Sequence, residues 1–153
     1  MTQWNEKMKS LLELHEGTRD KVYDDATGQT IRPRTKVHGW PTIGIGRNLV
    51  TNPLRPHEID YLFRSDLEAV LAMCNLTFTW FKRLDGVRRA VVVDMVYGMG
   101  LGGFQTFENT IGFLEAGEYF AASREMLDSV WARGPHKGRA QQLSKMMETG
   151  EWP

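Results

Sequence analysis

Glu16, Asp25 and the hydroxyl of Thr42 are the side chains of this sequence whose types could together break an acetal linkage. Cleaving a glycosidic bond needs a carboxylic acid to protonate the leaving oxygen and a second group to supply or place the nucleophile. The acid must stay protonated near neutral pH, which takes partial burial or a nearby negative potential. Glu16 has both in prospect: it closes an apolar face, and a helix C-terminus carries partial negative charge. Asp24 and Asp25 follow on an adjoining strand, where alternation lets only one of them share the substrate-facing side. Thr42, within PTIGIG, offers a hydroxyl on a neighbouring strand. Spacing alone does not single this set out, because nineteen acidic side chains supply many such triplets.

Other chemistries find less support. His15, His38, His57 and His136 have no paired metal-ligand spacing, so a zinc hydrolase is disfavoured and no metal or cofactor is expected. Cys74 stands alone in the apolar pattern Leu67, Val70, Leu71, Cys74, which reads as a small buried hydrophobe and not a nucleophile. There is no GxSxG, no phosphate loop and no cysteine-nucleophile signature.

The elements that must position these groups can be read from periodicity. Trp4, Met8, Leu11, Leu12 and His15 have helical spacing, and Gly17 is a natural residue to end that helix. From Lys21 to Gly46 the texture is strand, turn, irregular excursion and strand, with Pro33, Pro41 and several glycines excluding a helix. Pro56 suits a first helical position, and Ile59, Leu62, Phe63, Leu67, Val70, Leu71 and Cys74 form a long apolar stripe. Further helices are predicted around Phe78–Lys82, Gly86–Tyr97, Phe107–Glu115, Glu118–Ser129 and Lys137–Glu148, separated by GMGLGG, AGE and RGPHKG, with Asp85 and Thr106 as N-caps. The expected fold class is α+β, in one domain over 1–153. A β-lobe covers about 17–55, a bridging helix about 56–74, and a helical lobe about 75–153 together with the helix 3–16. A cleft between such lobes suits an extended polymer.

Bulk properties set outer limits. At 153 residues the chain buries roughly 70% of its unfolded surface and needs no disulfide to fold. Nineteen basic and nineteen acidic side chains cancel, so no global field draws it to nucleic acid. Two segments are locally cationic, Ile31–Arg47 and Ala132–Lys145, and either could face an anionic polymer. No apolar run reaches membrane-spanning length and the first residues have no secretory pattern, so stable membrane insertion is not expected and a cytoplasmic origin is.

HEGTRDKVYDDATG followed by TIGIGRNL resembles the bacteriophage lysozyme family, glycoside hydrolase family 24. RLDGVRRAVVVDMVYGMG, FQTFENTIGFLEAGEYFAA and VWARGPHKGRAQQ resemble its helical lobe in order, so the likeness runs from about Leu11 to Trp152. The resemblance implies a lysozyme-like fold and a muramidase, an endolysin cutting the β-1,4 bond between N-acetylmuramic acid and N-acetylglucosamine in bacterial peptidoglycan. It implies Glu16 as general acid, with Asp25 and Thr42 holding a water for single displacement. It also implies a monomer made in the host cytoplasm that reaches the wall after a separate holin opens the membrane.

Two departures from the family pattern stand out. The segment QTIRPRTKVHGW makes the connection from Asp25 to Thr42 longer and cationic, read as an enlarged hairpin tip. Arg47 stands where the best-known members carry histidine, and a pairing with Asp66 is expected. Substrate-binding candidates are Arg139, as a partner orienting Glu16; Gly98, where the lack of a side chain lets a loop approach glycan closely; Trp131, as a stacking platform; and His38, in the loop. Each has a plainer reading as solvated charge, connector, core residue or exposed loop. The alternatives are a non-catalytic peptidoglycan-binding protein of the same fold, a transglycosylase, and, with little support, a nucleic-acid binder using Arg133–Lys145.

Overall fold

The computed structural model describes residues 2–153, which divide into two compact units, 2–59 and 60–153. The architecture mixes α-helices with one small three-stranded antiparallel sheet.

In the first unit, helix α1 spans Gln3–Glu16. The Thr2 side chain accepts a hydrogen bond from the Asn5 N–H at its start. Gly17, at φ 71°, ends it and donates its N–H to the Glu13 carbonyl. Strands β1 (Arg19–Asp24), β2 (Pro41–Gly44) and β3 (Arg47–Asn48) follow, ordered β1-β2-β3. Tyr23 pairs with Thr42 on β2 and, by an isolated bridge, with Thr30. A central strand residue has one partner on each side, so the chain turns tightly after Asp24, runs back along the outer edge of β1, and then crosses to the other edge. The segment 32–40 is therefore a crossing loop and not the enlarged hairpin tip expected from sequence.

Arg47, on β3, is fixed by Glu58 rather than by Asp66. Its two terminal nitrogens lie 2.5 and 2.8 Å from the Glu58 carboxylate, its Nε donates to the Asn52 carbonyl, and it also donates to the Pro53 carbonyl. Glu58 lies in the first turn of helix α2 (Pro56–Thr77), where the short connection after β3 delivers it. Asp66 is roughly two turns further along.

In the second unit, Val70 and Cys74 of α2 join a core built around helix α3 (Gly86–Gln105), whose Val91, Val92, Met95, Val96 and Phe104 are sealed from solvent. Asp85 caps α3 by accepting from the Arg88 N–H at 2.9 Å. The glycine-rich stretch read as a separator does interrupt the helix: Gly100 leaves helical geometry (φ 77°, ψ 162°), so α3 is two helical segments joined across a kink, and the second runs on to Gln105. Thr106 is correspondingly the residue that ends α3, its hydroxyl donating to the Gly103 carbonyl, and not the cap of the next helix. Phe78–Lys82 forms only a 3-10 turn at Phe81–Arg83; Trp80 is buried and stacked on Phe78. Helices α4 (Glu108–Ala116), α5 (Tyr119–Leu127), α6 (Val130–Arg133) and α7 (Lys137–Thr149) complete the unit. Burial pushes the Cys74 thiol up to about 11, which keeps it an inert core group. Among the described residues no helix is long and apolar enough to cross a membrane.

The Arg47–Glu58 pair makes the first unit acid-sensitive. Hydrogen bonding from Arg47 holds the Glu58 carboxyl at about 2, below its ordinary 4.5. A carboxyl lowered on folding stabilises the fold above the unfolded value, and that contribution is lost as pH falls from about 4.5 to about 2. Thermal melts from pH 6 to pH 2 should show this loss in the native chain, and Glu58→Gln should flatten it; an unchanged profile in the variant would remove the pair from the account.

Candidate functional site

The crossing loop is held by a carboxylate. Asp24 is 1% exposed, and its oxygens accept backbone N–H bonds from His38 (2.8 Å), Gly39 (2.8 Å) and Ala26 (3.1 Å). These bonds, His38's foremost, hold its carboxyl below the ordinary aspartate value of 3.8. A buried acid satisfied by backbone donors acts as a structural anchor, and its polar group fixes the path of the loop. Sequence alternation separates Asp24 from Asp25 but does not say which of them points inward.

Asp25 is exposed. Its Oδ1 accepts from the Trp40 N–H at 2.7 Å, and its own N–H donates to the Trp40 carbonyl at 3.1 Å. The same carbonyl accepts the Thr42 hydroxyl at 3.1 Å. Trp40's backbone is thus the shared partner of Asp25 and Thr42, and it joins two of the three expected groups. Gly39 makes the approach possible: a Cβ there would lie 2.1 Å from Asp25 Oδ1. Thr42 is 3% exposed, and with its hydroxyl hydrogen given to the Trp40 carbonyl it can meet a further partner only as an acceptor. Trp40 is the residue missed by sequence reasoning; a tryptophan directly before the proline that opens PTIGIG was the available signal.

Glu16 is exposed, whereas its place on an apolar face predicts partial burial. The reason is that α1 buries none of its residues, so the helix gives its last carboxylate no apolar wall. What meets Glu16 instead is the turn between β2 and β3. A Cβ on Gly46, which sits at φ 68°, would fall 2.8 Å from Glu16 Oε2 and 3.1 Å from its Cδ and Cγ. Glu16 and Asp25 therefore rest at opposite ends of β2, one against the turn after it and the other against the residue before it.

In the second unit Arg139 and Gly98 come together. The guanidinium of Arg139 donates to the Asp94 carboxylate (2.8 Å) and carbonyl (2.9 Å) and covers Gly98, where a Cβ would lie 2.9 Å from its nitrogen. Asp94 was not anticipated, although a lone acid in the apolar run VVVDMV is itself a signal. Trp131 packs edge-on against Phe107 and stacks on His136. It lines a surface pocket of about 560 Å³ with Thr110, Asn109, Glu125, Asp128 and Ser129. The Thr110 hydroxyl there is buried without a hydrogen-bond partner. His38 is exposed, held by its backbone N–H on Asp24.

In sequence the chain is 29% identical over 172 residues to the probable T4-type lysozyme 1 of Dictyostelium discoideum, with 94% of each chain covered. It is 26% identical over 164 residues to the pre-baseplate central spike protein Gp5 of Enterobacteria phage T4. That alignment takes in 95% of this chain but only 28% of the spike protein, so the chain spans less than a third of its length. No family model matches the chain.

Asp24 should prove more important to the loop than Asp25. Asp24→Asn should speed hydrogen exchange at the Ala26, His38 and Gly39 amides and lower the melting midpoint by several degrees, while Asp25→Asn leaves those three amides protected. Equal protection in both variants would assign the loop's order to something other than this carboxylate.

Proposed function

We propose that this chain is a lysozyme of the glycoside hydrolase 24 type, which hydrolyses the β-1,4 bond between N-acetylmuramic acid and N-acetylglucosamine in bacterial peptidoglycan. The observation that carries the reading is a pair of carboxylates at the two ends of one short strand, Asp25 held by the Trp40 N–H before it and Glu16 lying against Gly46 after it, with the Thr42 hydroxyl on the strand itself. The likeness to a protein named as a T4-type lysozyme agrees with it.

In this reading Glu16 donates its proton to the glycosidic oxygen as the bond lengthens. Asp25 and Thr42 hold a water against the far face of the sugar, and the Asp25 charge steadies the oxocarbenium-like transition state. Arg139, Gly98, Trp131 and His38 are assigned to sugar binding. The setting is that of an endolysin acting as a monomer on the wall of its host after a holin has opened the membrane.

Glu16→Gln should lower turnover on peptidoglycan suspensions by at least about 10²-fold, the usual contribution of a general acid, with an unchanged melting midpoint because the side chain is exposed. Full activity in that variant removes Glu16 as the acid. Wild-type binding to insoluble peptidoglycan with no new reducing ends would make the chain a glycan binder instead. Mass spectrometry of the products should find hydrated reducing ends; anhydro ends would mean transglycosylation.

Gly46→Ala offers a separate check on how Glu16 is seated. A methyl group there collides with the carboxyl and forces an L-residue to φ 68°, so kcat should fall while KM changes little. Unaltered kcat would show that Glu16 does not work from this position.

A further inference from the structure

The crossing loop that carries the chain over the end of β1 holds Arg32, Arg34, Lys36 and His38 within seven residues, and Trp40, half exposed, follows. All of these side chains are exposed. Among the described residues Arg32, Arg34 and Lys36 make no salt bridge. The acids beside the loop are already engaged, Asp24 by three backbone N–H groups and Asp25 by Trp40's N–H. Two hydrogen bonds also fold the start of the loop into a turn. The Thr35 N–H donates to the Arg32 carbonyl at 2.9 Å across Pro33 and Arg34, and the Arg32 N–H donates to the Thr35 hydroxyl at 2.9 Å.

That turn contains an oddity. Pro33 occupies the second position of a four-residue turn and Arg34 the third, where φ is 71°. Such a turn favours glycine there, because a Cβ is strained at positive φ. Arg34 is the one non-glycine residue with positive φ among the described residues. Nothing in the hydrogen bonding of the fold uses its guanidinium. A strained backbone that presents a free cation points to a ligand for that cation.

We propose that this loop is a docking surface for a phosphodiester-linked anionic polymer of the bacterial envelope, with Arg32, Arg34 and Lys36 on successive phosphates and Trp40 against an intervening polyol or sugar. Guanidinium forks match phosphate oxygens two at a time, and a row of like charges suits a polymer that carries one charge per repeat. Peptide-stem carboxylates, interspersed with amines, fit an unbroken cationic row less well. The proposal rests on the lysozyme reading only for where such a polymer would be met.

The test is binding of soluble poly(glycerol phosphate), followed by tryptophan fluorescence across a salt series. The wild-type chain should bind with an affinity that falls as salt rises. Arg32→Gln, Arg34→Gly and Lys36→Gln should each weaken binding several-fold and reduce the salt slope by about 1. Arg34→Gly is the decisive variant, since glycine relieves the strained turn: its melting midpoint should hold or rise while binding falls, which no purely structural role for Arg34 would give. Wild-type binding by Arg34→Gly overturns the proposal, as does equal or tighter binding of polyglutamate or duplex DNA at the same salt. Polymer binding needs no hydrolysis, so a chain that binds poly(glycerol phosphate) in this pattern but clears no peptidoglycan loses the hydrolase reading alone.

Discussion

The Asp24 carboxylate, taken out of water and given three backbone N–H donors, is the interaction on which the first unit depends. A connection as long as 29–40 would ordinarily be free to wander, because the entropic cost of closing a loop rises only slowly with its length and sets no single path. Burying an ionised acid is costly unless its oxygens are satisfied, and here the backbone N–H groups of Ala26, His38 and Gly39 satisfy them. The loop therefore has one low-energy path, and that path delivers Trp40 to the edge of β1. Trp40's N–H then takes the Asp25 carboxylate while its carbonyl takes the Thr42 hydroxyl. The neighbouring acids thus divide the labour: one is spent on structure, which frees the other.

Much of this was legible in the sequence, and what was not has a common cause. Local signals located the elements that local forces decide: the apolar spacing of α1 and α2, Gly17 as a terminator, Asp85 as a cap, Pro56 at a first turn. The errors arise where a longer-range contact decided. GMGLGG reads as a break because glycine is a poor helix former, and the chain does leave helical geometry at Gly100, but a second helical segment follows at once and ends at Gln105, around the buried Phe104. Thr106 is a good cap by type but closes one helix instead of opening another. Arg47 was matched to an acid on the correct helix but at the wrong turn, since the route of the chain between Asn48 and Arg55 is not written in any periodicity.

The candidate site divides in the same way. The residue types of Glu16, Asp25 and Thr42 are visible in the sequence, and all three fall within one unit. Their surroundings are not visible. Glu16 was expected to gain its character from an apolar wall, but the close contact it has is with Gly46, in a turn whose positive φ favours glycine. Glycines act as site residues here by what they omit: Gly39 admits Asp25, Gly46 admits Glu16 and Gly98 admits Arg139. A sequence reader sees flexible punctuation where the fold needs vacant space.

Charge follows a similar logic. A net charge of zero says little, because neutrality over a chain is compatible with strong local imbalance. In the first unit Asp24 accepts three backbone N–H bonds and Glu58 is held by Arg47 and the Arg55 N–H, while Asp25 accepts one bond, from the Trp40 N–H. An acid whose lone pairs are committed to fixed donors no longer offers a geometry that a mobile arginine or lysine can adopt. The cations of the crossing loop are accordingly left facing water, although acids stand within a few residues of them. The anchoring of the loop and its positive surface are therefore one consequence of the same hydrogen bonds.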